Sequence, residues 1–282
     1  MTKSLLIGAA SAALFAAPAF GDTQTFDLDG FSKIKAERAV NVVFEQGDYS
    51  VVAETAGDDF SQLKITIDGD VLVVSRPGKW RDVSIRDRGG EKVIKVNGKR
   101  VPTYTVRVSA PMVDGLSAST SSDLEAFNLD VADLEAKASS SGDVTLSGRC
   151  MTLTAKASSS GDVIGESLTC NTAVVSASSS GDVMLQVDGG DVVAKAASSG
   201  DVLLKGTCAN LTAQASSSGD VEAEGLVCAN GSLKASSSGD IIVGITERAT
   251  ATASSSGDIE ILGSSAIVNA TESSGGDVTV GG

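Results

Sequence analysis

From about residue 116 onward, apolar and polar positions alternate in short runs that return about every nineteen residues. Each run is centred on the tetrapeptide Ser-Ser-Gly-Asp, usually preceded by Ala-Ser. The aspartates are Asp143, Asp162, Asp182, Asp201, Asp220, Asp240, Asp258 and, in the variant Ser-Ser-Gly-Gly-Asp, Asp277, at steps of 19, 20, 19, 19, 20, 18 and 19 residues. Counted from each Asp, the position five before is Ala157, Ala177, Ala196, Ala215, Ala235 and Ala253. The position seven before is Ala155, Val175, Ala194, Ala213, Leu233 and Ala251. One after the Asp stand Val144, Val163, Val183, Val202, Val221, Ile241, Ile259 and Val278. Three after stand Leu146, Leu185, Leu204, Val243, Ile261 and Val280, with Gly165 and Ala223 departing. A period of two on both flanks predicts strands with one face turned inward.

So short a repeat predicts one coil of backbone stacked on the next. The expected fold is all-β: a single-stranded parallel β-helix, or β-solenoid, of about 19 residues per coil. A helix is excluded, because Ser-Ser-Gly-Asp would break it once per repeat and the flanks are rich in Val and Thr. At roughly 3.3 Å per residue a coil has a perimeter of about 60 Å, and coils stack about 4.8 Å apart. Such a narrow section takes Ala and Ser on its inner columns rather than Phe.

The recurring Gly and Asp have a geometric reading. Gly142, Gly161, Gly181, Gly200, Gly219, Gly239 and Gly257 are expected to turn the corner with a positive φ. Each Asp, from Asp143 to Asp277, is expected to fold its carboxylate onto nearby backbone N–H groups as an Asx-type turn. A column of carboxylates about 5 Å apart repels itself, so each must gain from hydrogen bonds to Ser hydroxyls or backbone amides. The ladder is therefore read as structural, with no catalytic, cofactor-binding or metal-binding residue assigned.

Residues 22–115 lack the period but keep the alternation. Strand-like segments stand at Val40–Glu45, Tyr49–Glu54, Leu63–Asp68, Asp70–Ser75, Val93–Asn97 and Tyr104–Ser109, with reversals at Gly47-Asp48 and Gly69-Asp70. The charged stretch Arg76–Gly98 reads as an exposed excursion. No Pro/Gly/Ser linker separates this region from residues 116–282, so it is expected to form the irregular first coils of one solenoid. Residues 1–21 read as a signal peptide: Lys3, an apolar run from Leu5 to Ala17, and Ala19-Phe20-Gly21 as the cleavage site. No transmembrane segment is expected in the mature chain, and no barrel translocator behind Val278–Gly282.

The cysteines test the register. Cys150, Cys170, Cys208 and Cys228 each lie twelve residues before the next unit's Asp, so they share one column in two pairs of adjacent coils. In-register neighbours fall inside the Cα window for a disulfide. The column predicts Cys150–Cys170 and Cys208–Cys228. Four reduced core thiols are the alternative, and metal binding is disfavoured because the pairs sit two coils apart.

Composition narrows the function. The formal net charge is −14, which disfavours nucleic acid and anionic lipid as partners. Histidine is absent, which removes imidazole catalysis and His-ligated metal. One Trp and two Tyr leave little for an aromatic sugar platform.

Three segments carry a resemblance. Phe31-Ser-Lys-Ile34 leads to a strand ending Gln46-Gly-Asp-Tyr-Ser-Val51; Leu63-Lys-Ile-Thr-Ile67 and Gly69-Asp70-Val-Leu-Val73 precede an excursion at Trp80; and Tyr104-Thr-Val-Arg-Val-Ser-Ala-Pro111 leads to Leu116-Ser-Ala-Ser and the repeats. Over residues 25–282 the chain resembles the auto-transporter adhesin head GIN domain family. The resemblance implies a right-handed parallel β-helix outside the cytoplasm and no catalytic residues. Family members often read Ser-Gly-Ser-Gly-Asp at the first repeat, where this chain has Ser119-Thr-Ser-Ser-Asp123, a degenerate first coil.

The functional expectation is a non-enzymatic exported β-solenoid that presents repeated polar faces, such as Ser158–Ser160, Ser178–Ser180, Ser216–Ser218 and Ser236–Ser238, to an exported protein, glycan or surface. A carbohydrate-active β-helix enzyme is the second class, since a glycosidase needs only two carboxylates; here pairs arise automatically from the Asp column. A calcium- or ice-binding solenoid is the third. The nine-residue Gly-Gly-x-Gly-x-Asp signature of calcium solenoids is missing, and the ladder is Ser and Asp rather than Thr. No cofactor is implied.

Overall fold

The computed structural model describes residues 22–78, 83–88, 91–263 and 266–281; the signal-peptide reading of residues 1–21 lies outside them, as does Trp80. The N-terminal region holds β1 (Asp22–Phe26), β2 (Lys33–Glu37), β3 (Asn41–Gln46), β4 (Ser50–Thr55), β5 (Lys64–Asp68), β6 (Val71–Ser75), β7 (Val83–Arg88), β8 (Glu91–Val96), β9 (Lys99–Val101) and β10 (Tyr104–Ala110). The repeats hold β11 (Gly115–Ser119), β12 (Leu124–Ser139), β13 (Val144–Ser158), β14 (Val163–Ser178), β15 (Val183–Asp188), β16 (Asp191–Ala197), β17 (Val202–Ser216), β18 (Val221–Ser236), β19 (Ile241–Ser254), β20 (Ile259–Leu262), β21 (Ile267–Ser273) and β22 (Val278–Gly281). The protein is an all-β solenoid of parallel coils.

From β11 to β22 each coil pairs in parallel with the next, and the register places equivalent residues over one another: Val144 on Val163, Cys150 on Cys170, Ala155 on Val175. Inward positions fall into three groups per coil. In β14 they are Val163 and Gly165, then Leu168 and Cys170, then Ala173, Val175 and Ala177. The alternation skips between groups, as at Glu166-Ser167 where both residues are exposed. The coil therefore has three short faces: a first after the Asp, a second carrying the cysteines, and a third that ends in the Ser-Ser corner. Of the second group only the cysteine column was read from the sequence, because elsewhere Leu, Val and Ile stand there without a fixed residue type.

The N-terminal region enters the same stack. β2 lies parallel to β11 and β3 parallel to β12. One coil further out, β6 lies parallel to β2 and β10 parallel to β3. Antiparallel strands then continue the sheet, β5 against β6, β4 against β10 and β1 against β4. A separate three-stranded antiparallel sheet, β7–β9, forms between β6 and β10.

The expectation that Arg76–Gly98 is wholly exposed needs correction. Arg76 is buried, and Ile94 with it. The Arg76 guanidinium stands where the next corner of the outermost coil would be: Nε donates to the Arg38 carbonyl at 3.0 Å, and Nη2 to the carbonyls of Ala39 at 3.2 Å and Pro102 at 2.6 Å. It also lies 4.9 Å from the centre of the Tyr104 ring. The cation thus supplies donors to carbonyls that have no further coil above them. A single core runs the length of the stack, with Phe31, Phe44 and Tyr104 in the wider first coils and mostly Ala, Val and Leu beyond.

Candidate functional site

The most repeated structure in the molecule is the corner between the third and first faces. In each regular unit the two central Ser have positive φ, for example 53° and 60° at Ser159-Ser160 and 53° and 62° at Ser198-Ser199. The Gly N–H donates back to the carbonyl three residues earlier, Gly161 to Ser158 and Gly200 to Ala197, each at 3.1 Å. Two left-handed residues closed by that bond make a type I′ turn.

The expected positive φ at the motif glycines is therefore overturned. Gly142, Gly161, Gly181, Gly200, Gly219, Gly239 and Gly257 are not left-handed; the Ser pairs before them are. Glycine is required there for space. A Cβ on Gly200 would stand 2.5 Å from the Ser178 nitrogen and 2.7 Å from the Gly181 carbonyl oxygen, and the other six meet the coil below in the same way.

The Asp reading is corrected as well. From Asp143 to Asp258 each carboxylate does gain a backbone amide, but that of the next coil's Asp. Oδ1 of Asp143 accepts from the Asp162 N–H at 3.0 Å, and the same bond joins Asp162 to Asp182, Asp182 to Asp201, Asp201 to Asp220, Asp220 to Asp240, Asp240 to Asp258 and Asp258 to Asp277, at 2.8–2.9 Å. The neighbouring amide bonds main chain to main chain, as Val163 N–H does to the Asp182 carbonyl at 2.9 Å. The side chain thus supplies the acceptor that the backbone lacks at the turn.

The corner begins before the repeat does. Arg38-Ala39 and Thr120-Ser121 have the same pair of positive φ values as the later Ser-Ser. Asn41 takes the Asp place, with its Oδ1 accepting from Asp123 N–H at 3.4 Å, and Ser122 takes the Gly place, with its hydroxyl accepting from Val40 N–H at 3.1 Å. The degenerate Ser119-Thr-Ser-Ser-Asp123 is thus degenerate in letters only. Sequence reading missed Arg38–Asn41 because 82 residues separate Asn41 from Asp123.

Cys150 is bonded to Cys170 and Cys208 to Cys228, with Cα atoms 4.6 and 4.4 Å apart. Both bridges lie on the inner side of the second face.

The outer faces differ in charge. On the first face a shallow groove of about 490 Å³ is lined by Asp220, Glu222, Glu224, Asp240, Asp258 and Glu260, among others. Among the described residues no cluster of three or more His, Cys, Asp or Glu could hold a metal ion. Lys205 pairs with Glu166 across two coils at 2.8 Å, and Arg149 pairs with Asp130 at 2.8 Å. The Arg149 hydrogen bond and charge hold the Asp130 carboxyl below its ordinary range and raise the guanidinium in turn. At the N-terminal end the hydrogen bond between Lys33 and Asp70 lowers the carboxyl and raises the amine. Burial lowers Arg76 and raises the Tyr104 phenol. On the third face the outward positions are mostly Lys, Ser, Thr, Gln and Val, with Asn269, Glu135 and the exposed Asp191 besides.

Fold and surface together define a parallel β-solenoid with one corner repeated along its length and no singular cluster of reactive groups among the described residues. The chain belongs to the family described as "Putative auto-transporter adhesin, head GIN domain", whose model matches residues 30–190 and 171–265. Among solved structures it is similar to a "putative adhesin" from Parabacteroides distasonis, with a TM-score of 0.63 at 18% identity over 92% of this chain and 96% of that one. It is also similar to a "putative adhesin" from Parabacteroides merdae, with a TM-score of 0.57 at 18% identity over 93% and 96%. A "putative lipid binding protein" from Parabacteroides distasonis follows, with a TM-score of 0.59 at 18% identity over 93% and 96%. These likenesses carry the fold. No curated protein matches the chain. Among the described residues no helix is long and apolar enough to cross a membrane.

Proposed function

We propose that the chain is a non-enzymatic, exported binding module that holds an extended partner, a polymer or a surface, through polar faces repeated coil after coil. The observation that supports this most is the uniformity of the corner. The same exposed Ser pair and the same carboxylate recur from Ser140 to Asp258, so many weak contacts are offered in a line rather than one strong site. Such contacts add through effective concentration, so affinity should scale with the number of coils engaged. The family's adhesin description and the two disulfides, which suit an oxidising compartment, support the same reading.

Deleting residues 202–240 tests it. That cut removes two whole coils together with both Cys208 and Cys228, and joins Asp201 to Ile241 so that the corner column stays in register. Binding to a panel of immobilised mucin, polygalacturonate, collagen and heparin should weaken by a graded factor on whichever surfaces retain the full-length protein. Complete loss from one exposed point substitution, or turnover of any glycan in the panel, would contradict the proposal.

A further inference from the structure

We infer that the third face is a docking surface for a linear, carboxylate-bearing polysaccharide, held by a column of lysines; this rests on the binding-module reading above and names its face and partner class.

Within residues 116–282 the cations are Lys137, Arg149, Lys156, Lys195, Lys205, Lys234 and Arg248. Four of the seven stand at one position, six before the motif Asp: Lys137, Lys156, Lys195 and Lys234. The register makes this a physical column, in which Lys35, Ser117, Lys137, Lys156, Ser176, Lys195, Gln214 and Lys234 follow one another coil by coil. Of the three cations off the column, Arg149 is neutralised by Asp130 and Lys205 by Glu166, while Arg248 is exposed. On it, Lys137 pairs with Glu135 at 2.7 Å and Lys156 lies 4.0 Å from that same carboxylate. Lys195 and Lys234 have no carboxylate within ion-pair distance among the described residues. From Thr154 to Thr271 the two outward positions flanking the inner Ala columns carry no Asp or Glu in any coil. A chain of net charge −14 thus keeps a cationic strip with no carboxylate at these two positions, bordered by the exposed Asp191 at the start of β16, while acidic residues line the corner and the first face.

Spacing and lining point to the partner. Lys156, Lys195 and Lys234 recur every second coil, about 9.6 Å apart. A stiff acidic polysaccharide repeats its carboxylates along a line, as this column repeats its cations. Thr212, Gln214 and Ser232 between the cations meet sugar hydroxyls, and the adjacent Val174 and Val193 meet the apolar faces of the rings. Nucleic acid also presents regular charge, but single strands are held by stacking on aromatic rings, and the outward positions of this face carry none.

The test is retention on immobilised polygalacturonate, with neutral dextran and polyphosphate in parallel, at low salt and at 0.5 M NaCl. The variant is K156S/K195S/K234S. A charge-matched control, K64S/R149S/K205S, removes three exposed cations elsewhere, so general repulsion changes equally in both. Circular dichroism and melting show whether each is folded, and K156R/K195R/K234R keeps the charge if serine alters the fold. The triple Ser variant is expected to lose about tenfold in affinity, from three exposed charge contacts. The control should lose less than about twofold, the Arg variant should bind, and high salt should release the wild type. Equal losses in variant and control, or equal retention on dextran or polyphosphate, would overturn the assignment. A salt-sensitive dimer that loses its affinity in the same variant would instead make a second copy's Asp ladder the occupant, and would also overturn it. Failure here with the graded coil-deletion effect intact removes this inference alone; loss of both removes the binding-module reading.

Discussion

At the scale of single residues, the corner reverses the usual roles of Ser and Gly in a turn. A type I′ turn places both central residues in the left-handed region, where glycine carries no steric penalty and other residues do. Here Ser occupies both places, while the adjacent Gly has an ordinary φ and is held by close approach of the coil below. The two positions should therefore respond oppositely to substitution. Gly200→Ala places a Cβ against the backbone of Ser178 and Gly181, atoms that cannot swing aside, and should cost about 3 kcal/mol, the upper end for overpacking. Ser199→Gly relieves a left-handed residue worth about 1 kcal/mol but frees the unfolded chain by a similar amount, so it should lie within about 0.5 kcal/mol of wild type. Urea unfolding of both variants, followed by circular dichroism, measures the contrast. A glycine-tolerant Ser199 with an alanine-tolerant Gly200 would leave the close-approach account without support.

At the scale of elements, legibility followed repetition. The inner columns on either side of the motif, Ala157 to Ala253 and Val144 to Ile259, could be read by counting, and the structure buries them. The strands Tyr49–Glu54 and Tyr104–Ser109 could be read by alternation and lie within a residue or so of β4 and β10. What could not be read was where the N-terminal strands belong. β2 and β3 join the stack through Arg38–Asn41, which shares backbone geometry with Ser-Ser-Gly-Asp but only one side-chain function, the Asn41 acceptor. Nor does anything local mark Arg76 as buried, since its carbonyl partners come from residues 26 to 38 positions away. The lysine column needed only the same counting that found the alanines. The cysteine column was legible for that reason, and it tests the coil as an element. Elsewhere in that column Val187 lies over Cys170 and Ile245 over Cys228, so an apolar side chain fits there. Replacing Cys208 and Cys228 by Val keeps the packing and removes only the covalent link, which closes a segment of 20 residues. The expected loss is about 3 kcal/mol from the unfolded chain's regained freedom, read as a lower unfolding midpoint with the native spectrum retained. An unchanged midpoint would mean that stacked coils hold these strands together without the link.

At the scale of the whole molecule, the described stack has an outermost coil on each side, and a row of uncovered strand groups there would invite another copy. The N-terminal end is continued by antiparallel strands and closed at the corner by Arg76. The last described coil uses one residue. Glu272 stands in the inner column where every regular coil before it has Ala, and its Oε1 accepts from the Val278 N–H at 2.9 Å. In each coil from β12 to β20 the equivalent N–H goes instead to the next coil's Asp carbonyl, as Ile259 N–H goes to Asp277. The carboxylate thus satisfies the amide that would start another coil, and it places a charge where that coil would need to bury an alanine. Glu272→Ala removes both obstacles and should let ends stack: sedimentation should show mass rising with concentration more steeply than in the wild type. Glu272→Gln keeps the acceptor and a polar group in the column, so it should follow the wild type. If the Ala variant sediments like the wild type at every concentration, the end is kept apart by something other than Glu272, and the exposed Ile267 and Val280 beside it become the groups to change.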